Sequence, residues 1–325
     1  MTTTYIGIDL GTTNSALCTY DGNNLRIQKS PEQADVTPSA IFIGQRGNKY
    51  VGQQAYNNAA LWPDNTALLF KRLMGTSTRI HLSGAGVDLT PEQCSAEILR
   101  HMYGNLPEEI RQSNDAGSII TVPAAFNQMQ MESTLAAAEQ AAIGKVQLLQ
   151  EPVAAVMSVM RARQHDARFL VYDLGGGTLD IAIAESIGGH VALLAHGGIA
   201  MCGGRDIDRL IVEHVVAPWL ANNFAVPAEV MTDPRYAGLH RHAAWAAERA
   251  KIELSSREDA VISLPEGQIR LRDDRGSDIY LDVPLTRAVL DKLLEHLIQR
   301  SVDASVATLG QAGIAASDVE RIVFV

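Results

Sequence analysis

Two stretches of this chain repeat one pattern. Residues 8–17 read IDLGTTNSAL and residues 172–181 read YDLGGGTLDI: an apolar strand, then Asp, Leu and Gly, a hydroxyl, and a second strand. Asp9 and Asp173 stand 164 positions apart, about half of the 325 residues. A repeat at that spacing implies an internal duplication, with two similar lobes gripping a ligand from both sides. The turns inside the repeats restrict what that ligand is. Successive N–H groups exposed by glycine form a small concave anion site. Glycine keeps side chains out of the approach and admits positive φ. Gly11, Thr12 and Thr13 offer such amides, as do Gly175, Gly176, Gly177 and Thr178, with hydroxyls as extra donors. Asp9 and Asp173 stand just before each turn, and Asp180 adds a carboxylate near the second. Carboxylates repel phosphate unless a cation lies between, so Mg²⁺ or K⁺, held mostly through water, is implied. The pair of turns therefore predicts a metal–nucleotide complex. Neither GxxxxGK[ST] nor a strand–helix GxGxxG is present.

Composition narrows the partners. Lys+Arg 27 against Asp+Glu 37 gives a net charge of −10, the wrong sign for a surface that tracks nucleic-acid phosphates. The length accommodates two cores. Cys18, Cys94 and Cys202 are far apart and form no CxxC, which argues against a disulfide framework or zinc site and fits a reducing cytoplasm. The N-terminus lacks a basic, apolar leader and no apolar run is long enough to span a bilayer, so neither export nor a membrane partner is expected. The nine histidines show no metal spacing, and His240 and His242 read as surface.

Periodicity predicts strands at both ends of each glycine turn, at 118–126, 146–152 and 190–198, and in a small sheet over 260–283. Helices are predicted over 92–113, 128–143, 154–163, 206–224, 236–254 and 286–310. In the last, Val289, Leu293, Leu297 and Val302 fall near one face and are expected to pack in the core. Glu248, Lys251 and Ser255, three and four apart, are expected on one helix face.

With these pieces in place, the chain resembles the seventy-kilodalton heat-shock (DnaK-type) chaperone family. The likeness rests on IGIDLGTTNS (6–15), FKRLMG (70–75), ITVPAAFN (120–127), EPVAAV (151–156), VYDLGGGTLDI (171–181), GGRDID (203–208) and ERAKIELSS (248–256). It implies an α/β, actin-like ATPase (ribonuclease H-like) fold, with a mixed sheet in each of two lobes around a nucleotide cleft. Lobe I would cover 1–165, with a smaller subdomain at about 40–94. Lobe II would cover 166–325, with one at about 203–285. By position, Gly11, Thr12, Thr13 and Asn14 would embrace the β- and γ-phosphates, and Gly203 and Gly204 would approach them from the second lobe. Lys71 would sit by the γ-phosphate and the attacking water. Glu151 and Asp173 would orient that water or the metal shell, and Asp9, Thr178 and Asp180 would complete the ion network. Glu248, Lys251 and Ser255 would contact adenosine. The resemblance further implies ATP and ADP as ligands, and a monomer. In the full-length protein it implies unfolded peptide, a J-domain cochaperone and a nucleotide exchange factor as partners.

The sequence departs from the family pattern in four places. It stops at IVFV, where the family continues into a GG-x-[ST]-R loop, a linker and a peptide-binding domain, so that domain is expected to be absent here. Met131, Ala125 and Gln147 replace a usual arginine, aromatic and basic residue, and interdomain coupling is expected to differ. Arg205 stands where the family has glutamate. The stretch between Gly75 and Pro123 is short, like that of the compact bacterial HscC branch. Three competing readings stay open: a nucleotide-binding regulatory module without useful hydrolysis, a small-molecule kinase of the same superfold, and an actin-like filament former.

Overall fold

The computed structural model describes residues 4–111, 117–161, 166–265 and 271–325. These form two compact units: Met1–Gly175 with Asp180–Gly197 and Ala307–Val325, and Gly176–Leu179 with Gly198–Val306.

The first unit contains two larger sheets, of six and four strands, besides two small ones within residues 40–89. One has the order Val146–Gln150, Gly117–Val122, Tyr5–Asp9, Asn14–Tyr20, Leu25–Ile27, with the short strand Thr37–Pro38 also paired to Asn14–Tyr20. The pairs among the first three strands are parallel and those that follow are antiparallel. Alternation sets its faces: Ile6 and Ile8, then Ser15, Leu17 and Thr19, point inward at period two. Parallel neighbours need crossover connections, and helices occupy them. Pro91–Gly104 lies in the connection from Asp9 to Gly117, and Gln128–Gln140 in that from Val122 to Val146. Both helices begin with a capping box, Thr90 with Gln93 and Asn127 with Gln130. Their inner faces close a core that includes Ile6, Ile8, Phe70, Ile98, Leu99 and Ile120. The other sheet has the order His190–Ala200, Thr178–Ile187, Ala167–Leu174, Arg321–Phe324. Helix Glu151–Met160 packs Val156 and Met160 against its Phe169, Val171 and Ala184.

The second unit is mainly helical. Gly204–Ile211 runs through a π-helical turn, Val212–Val216, into Ala217–Asn223. The wider turn stands just before Pro218, which has no N–H to continue a regular helix. Helix Ala237–Glu253 covers the hairpin Asp259–Leu264/Leu281–Thr286, burying Leu239, Ala243, Ile262 and Val283.

Several expectations are corrected. The helix expected over 92–113 ends at Gly104; a short helix, Glu108–Arg111, follows Pro107, and residues 112–113 lie outside the described residues. No turn separates strand Val146–Gln150 from the next helix, which starts at Glu151 rather than 154; residues 162–163 of the expected span lie outside the described residues. Within the expected small sheet, residues 266–270 also lie outside them. Val289 and Val302 are exposed, and helix Arg287–Ala312 turns Leu290, Ser301, Thr308 and Leu309 inward. His242 is not a surface residue: it is buried, with Nδ1 2.8 Å from the Gly238 carbonyl oxygen. The helix carrying Glu248 and Lys251 ends at Glu253, so Ser255 lies in the turn beyond it and is exposed.

Candidate active site

In the first unit the strand Tyr5–Asp9 delivers Asp9 to the rim of its sheet, where Thr121 Oγ1 donates to Asp9 Oδ1 at 2.9 Å. The turn that follows is tight. A Cβ on Gly11 would fall 2.0 Å from the Asn14 carbonyl oxygen, so only glycine fits. The loop is fastened from one side: Ser39 N–H donates to Thr13 O and Ser39 Oγ–H to Gly11 O, both at 2.8 Å. Thr13 Oγ1 is buried and has no partner among the described residues. Such a group is costly unless an acceptor or donor arrives, and a phosphate or its metal shell would supply one.

Lys71 sits on the short 3₁₀ turn Phe70–Leu73, entered through Leu69 in a left-handed conformation (φ 58°, ψ 18°). The ammonium is buried, donates to Glu151 Oε1 at 2.8 Å and lies 5.5 Å from the centre of the Phe126 ring. Glu151 is the first residue of its helix, with Pro152 next, a position that suits an acidic side chain. Burial pushes the Glu151 carboxyl up; Lys71 opposes this, while Asp9 and Asp180 add to it. Burial likewise pushes Asp173 up to about 6, reinforced by Glu151, Asp180 and Asp9 and opposed by Lys71. The four carboxylates thus feel one another, with a single lysine among them. A cavity of about 10 Å³, room for roughly one water, is lined by Glu151, Asp173, Asp180, Ala124, Pro152 and Gly197. Among the described residues no three His, Cys, Asp or Glu converge closely enough to ligate an ion directly.

In the second unit the Gly176 carbonyl accepts from Arg205 N–H at 2.9 Å, and that of Gly177 from Met201 N–H at 3.1 Å. Gly203 and Gly204 open the helix Gly204–Ile211, and Asp206 Oδ2 caps Gly203 N–H at 3.0 Å. Lys251 Nζ lies 2.8 Å from Gly204 O and 2.6 Å from Asp208 Oδ1. Burial raises Asp208 to about 6, with Lys251 opposing, Glu248 adding and Arg205 opposing. Arg205 Nε is buried and has no partner among the described residues.

A family model described as "Hsp70 protein" matches residues 5–83 and 76–325. The chain belongs to the Hsp70 family. Its mixed α/β architecture is that of the family's actin-like ATPase fold, and as an Hsp70 domain it is of the ATP-binding chaperone type. No helix among the described residues is long and apolar enough to cross a membrane.

Within the first unit of this Hsp70 domain, Asp9, Lys71, Glu151, Asp173 and Asp180 come together, as do Gly11–Asn14 with Ser39. Within the second, Gly176, Gly177, Gly203, Gly204, Glu248 and Lys251 do so around Asp208 and Arg205, while Ser255 stands outside that cluster of contacts. Sequence reading missed Ser39, Thr121, Phe126 and Asp208. Thr121, Phe126 and Asp208 lie inside the motifs already quoted. Ser39 lies outside them, and the contacts of Ser39 and Thr121, at separations of 28 and 112 residues, are ones that no local pattern reveals.

Proposed function

We propose that this chain binds ATP with Mg²⁺ and hydrolyses it slowly, as the motor domain of a cytoplasmic chaperone. The observation that carries the reading is the buried Lys71–Glu151 ion pair beside Asp9, Asp173 and Asp180 in the unit that holds the Gly11–Asn14 loop.

The loop amides and the Thr12 and Thr13 hydroxyls would hold the β- and γ-phosphates. Asp9, Asp173 and Asp180 would hold hydrated Mg²⁺, with Thr178 and K⁺ completing the ion network. Bound there, Mg²⁺ neutralises phosphate charge. Glu151 and Asp173 would accept hydrogen bonds from the attacking water and aim its oxygen at the γ-phosphorus. As the new O–P bond forms, the bond to the bridging oxygen breaks and ADP leaves with that electron pair. Lys71 would offset the charge that grows on the transferred group. Gly175 of the first unit, and Gly176, Gly177, Gly203 and Gly204 of the second, would contact phosphate, and Glu248, Lys251 and Ser255 adenosine. Nucleotide state would in turn govern a peptide-binding domain, with a J-domain cochaperone and an exchange factor setting the cycle's pace.

Single-turnover hydrolysis of ATP by the wild type, with Lys71→Ala as control, tests this. Cleavage by the wild type and its loss in the variant, with ATP still bound, supports the reading. ATP bound but cleaved by neither protein overturns it in favour of a regulatory nucleotide-binding module. Phosphorylation of a metabolite would instead favour a kinase.

A further inference from the structure

Ser39 is polar, 2% exposed, and part of none of the motifs that mark the loops. Its surroundings account for it. The short pairing of Asn14 with Pro38 and Ser15 with Thr37 brings the segment 37–39 alongside the first phosphate-type loop. Pro38 has no N–H, so the backbone there offers the loop only the Ser39 amide, which goes to Thr13 O at 2.8 Å. The Gly11 carbonyl is left to a side chain and takes the Ser39 hydroxyl at 2.8 Å. A carbonyl only accepts, so the Ser39 proton is committed to it. Ser15 Oγ, 2.9 Å from Ser39 Oγ and itself buried, must then be the donor in that contact. A chain of donors runs Ser15 to Ser39 to Gly11 O, each bond polarising the next.

The consequence follows from the planar trans peptide, in which C=O of one residue and N–H of the next point in opposite directions. Drawing the Gly11 and Thr13 carbonyls toward Ser39 turns the Thr12 and Asn14 N–H groups to the opposite side of the loop. We propose that Ser39 is a positioning residue that aims these two amides at the phosphates of the nucleotide, with Ser15 fixing its hydroxyl. The inference rests on the nucleotide reading above.

Calorimetric titration of the full chain with Mg²⁺-ADP and, separately, with adenosine tests it, using wild type, Ser39→Ala and Ser15→Ala. Ser39→Ala should weaken ADP binding about tenfold, the equivalent of one good hydrogen bond to a charged group, and leave adenosine binding unchanged. Ser15→Ala should weaken ADP by a smaller factor, about threefold, since it loosens the hydroxyl without removing it. Wild-type ADP affinity in Ser39→Ala overturns the proposal. So does an equal loss for ADP and adenosine, which makes Ser39 a support of the fold rather than of the amides. A wild type that binds neither ligand sinks the nucleotide reading itself, and this inference with it.

Discussion

The two Asp-Leu-Gly turns solve one problem with different parts. On the function proposed above, each would turn its carbonyls toward the protein so that amides are left for an anion. At the first, a residue 28 positions away adds a side-chain bond, Ser39 Oγ–H to Gly11 O, to its backbone N–H on Thr13 O. At the second, the Gly177 and Gly176 carbonyls accept from backbone, from Met201 N–H and Arg205 N–H. A side-chain fastening can be deleted by one substitution. A backbone fastening survives every substitution except proline. The ion pairs differ too: Lys71 pairs with Glu151 in the unit of the first turn, and Lys251 with Asp208 in the other.

That contrast can be broken most severely at the Lys71–Glu151 pair. Lys71→Ala should lower single-turnover hydrolysis by roughly 10²–10³-fold, the usual loss for a missing charge-stabilising group, with ATP affinity retained. Lys251→Ala should leave the chemical step largely intact and weaken ATP binding instead; equal effects on hydrolysis would erase the distinction. The glycines come next. Gly11→Ala forces a Cβ against backbone at 2.0 Å, whereas at Gly204 the nearest atom is the flexible Lys251 tip at 3.3 Å. Gly11→Ala should cost about 2–3 kcal/mol in urea unfolding and Gly204→Ala under about 1 kcal/mol. Arg205 sharpens the comparison further. It lies in the first turn of its helix, where proline is tolerated. Arg205→Pro should weaken ADP about fivefold by removing the N–H to Gly176, and Arg205→Ala much less, because it keeps that bond.

The smallest effect near neutral pH is in the pH profile. Asp173 is raised from 3.8 to about 6 by burial first and by neighbouring carboxylates second. It is protonated below that value and ionised above it. Hydrolysis that needs the ionised form should therefore fall about tenfold for each pH unit below about 6. Added Mg²⁺ favours the anion and should move this limb lower. Asp173→Asn should abolish the limb in whatever activity remains, whereas Asp9→Asn should keep it.

The two turns, their flanking strands and most helices were legible because each rests on local periodicity. The three aspartates of the site were legible beside the turns, whereas Lys71 and Glu151 were legible only through family motifs. Nothing in the spacing of Lys71 and Glu151, 80 residues apart, says that they meet at 2.8 Å. Helix Arg287–Ala312 was found but its buried face was misassigned: its apolar residues ring the helix, and one position, from Val289 to Leu290, separates outside from inside. His242 misled for the opposite reason. A histidine reads as polar, yet its ring reaches its own helix's carbonyl and fills core space. Ser255 kept the right spacing past the point where the helix stops.

Leu69 sets a last consequence. A leucine held at positive φ is strained by about 1–2 kcal/mol, and it directly precedes the turn that carries Lys71. Laboratory evolution toward heat resistance would be drawn to glycine or asparagine there, since both relax that backbone. The same replacements would give the lysine's turn more freedom to wander. Selection for endurance and selection for turnover would pull this single position in opposite directions.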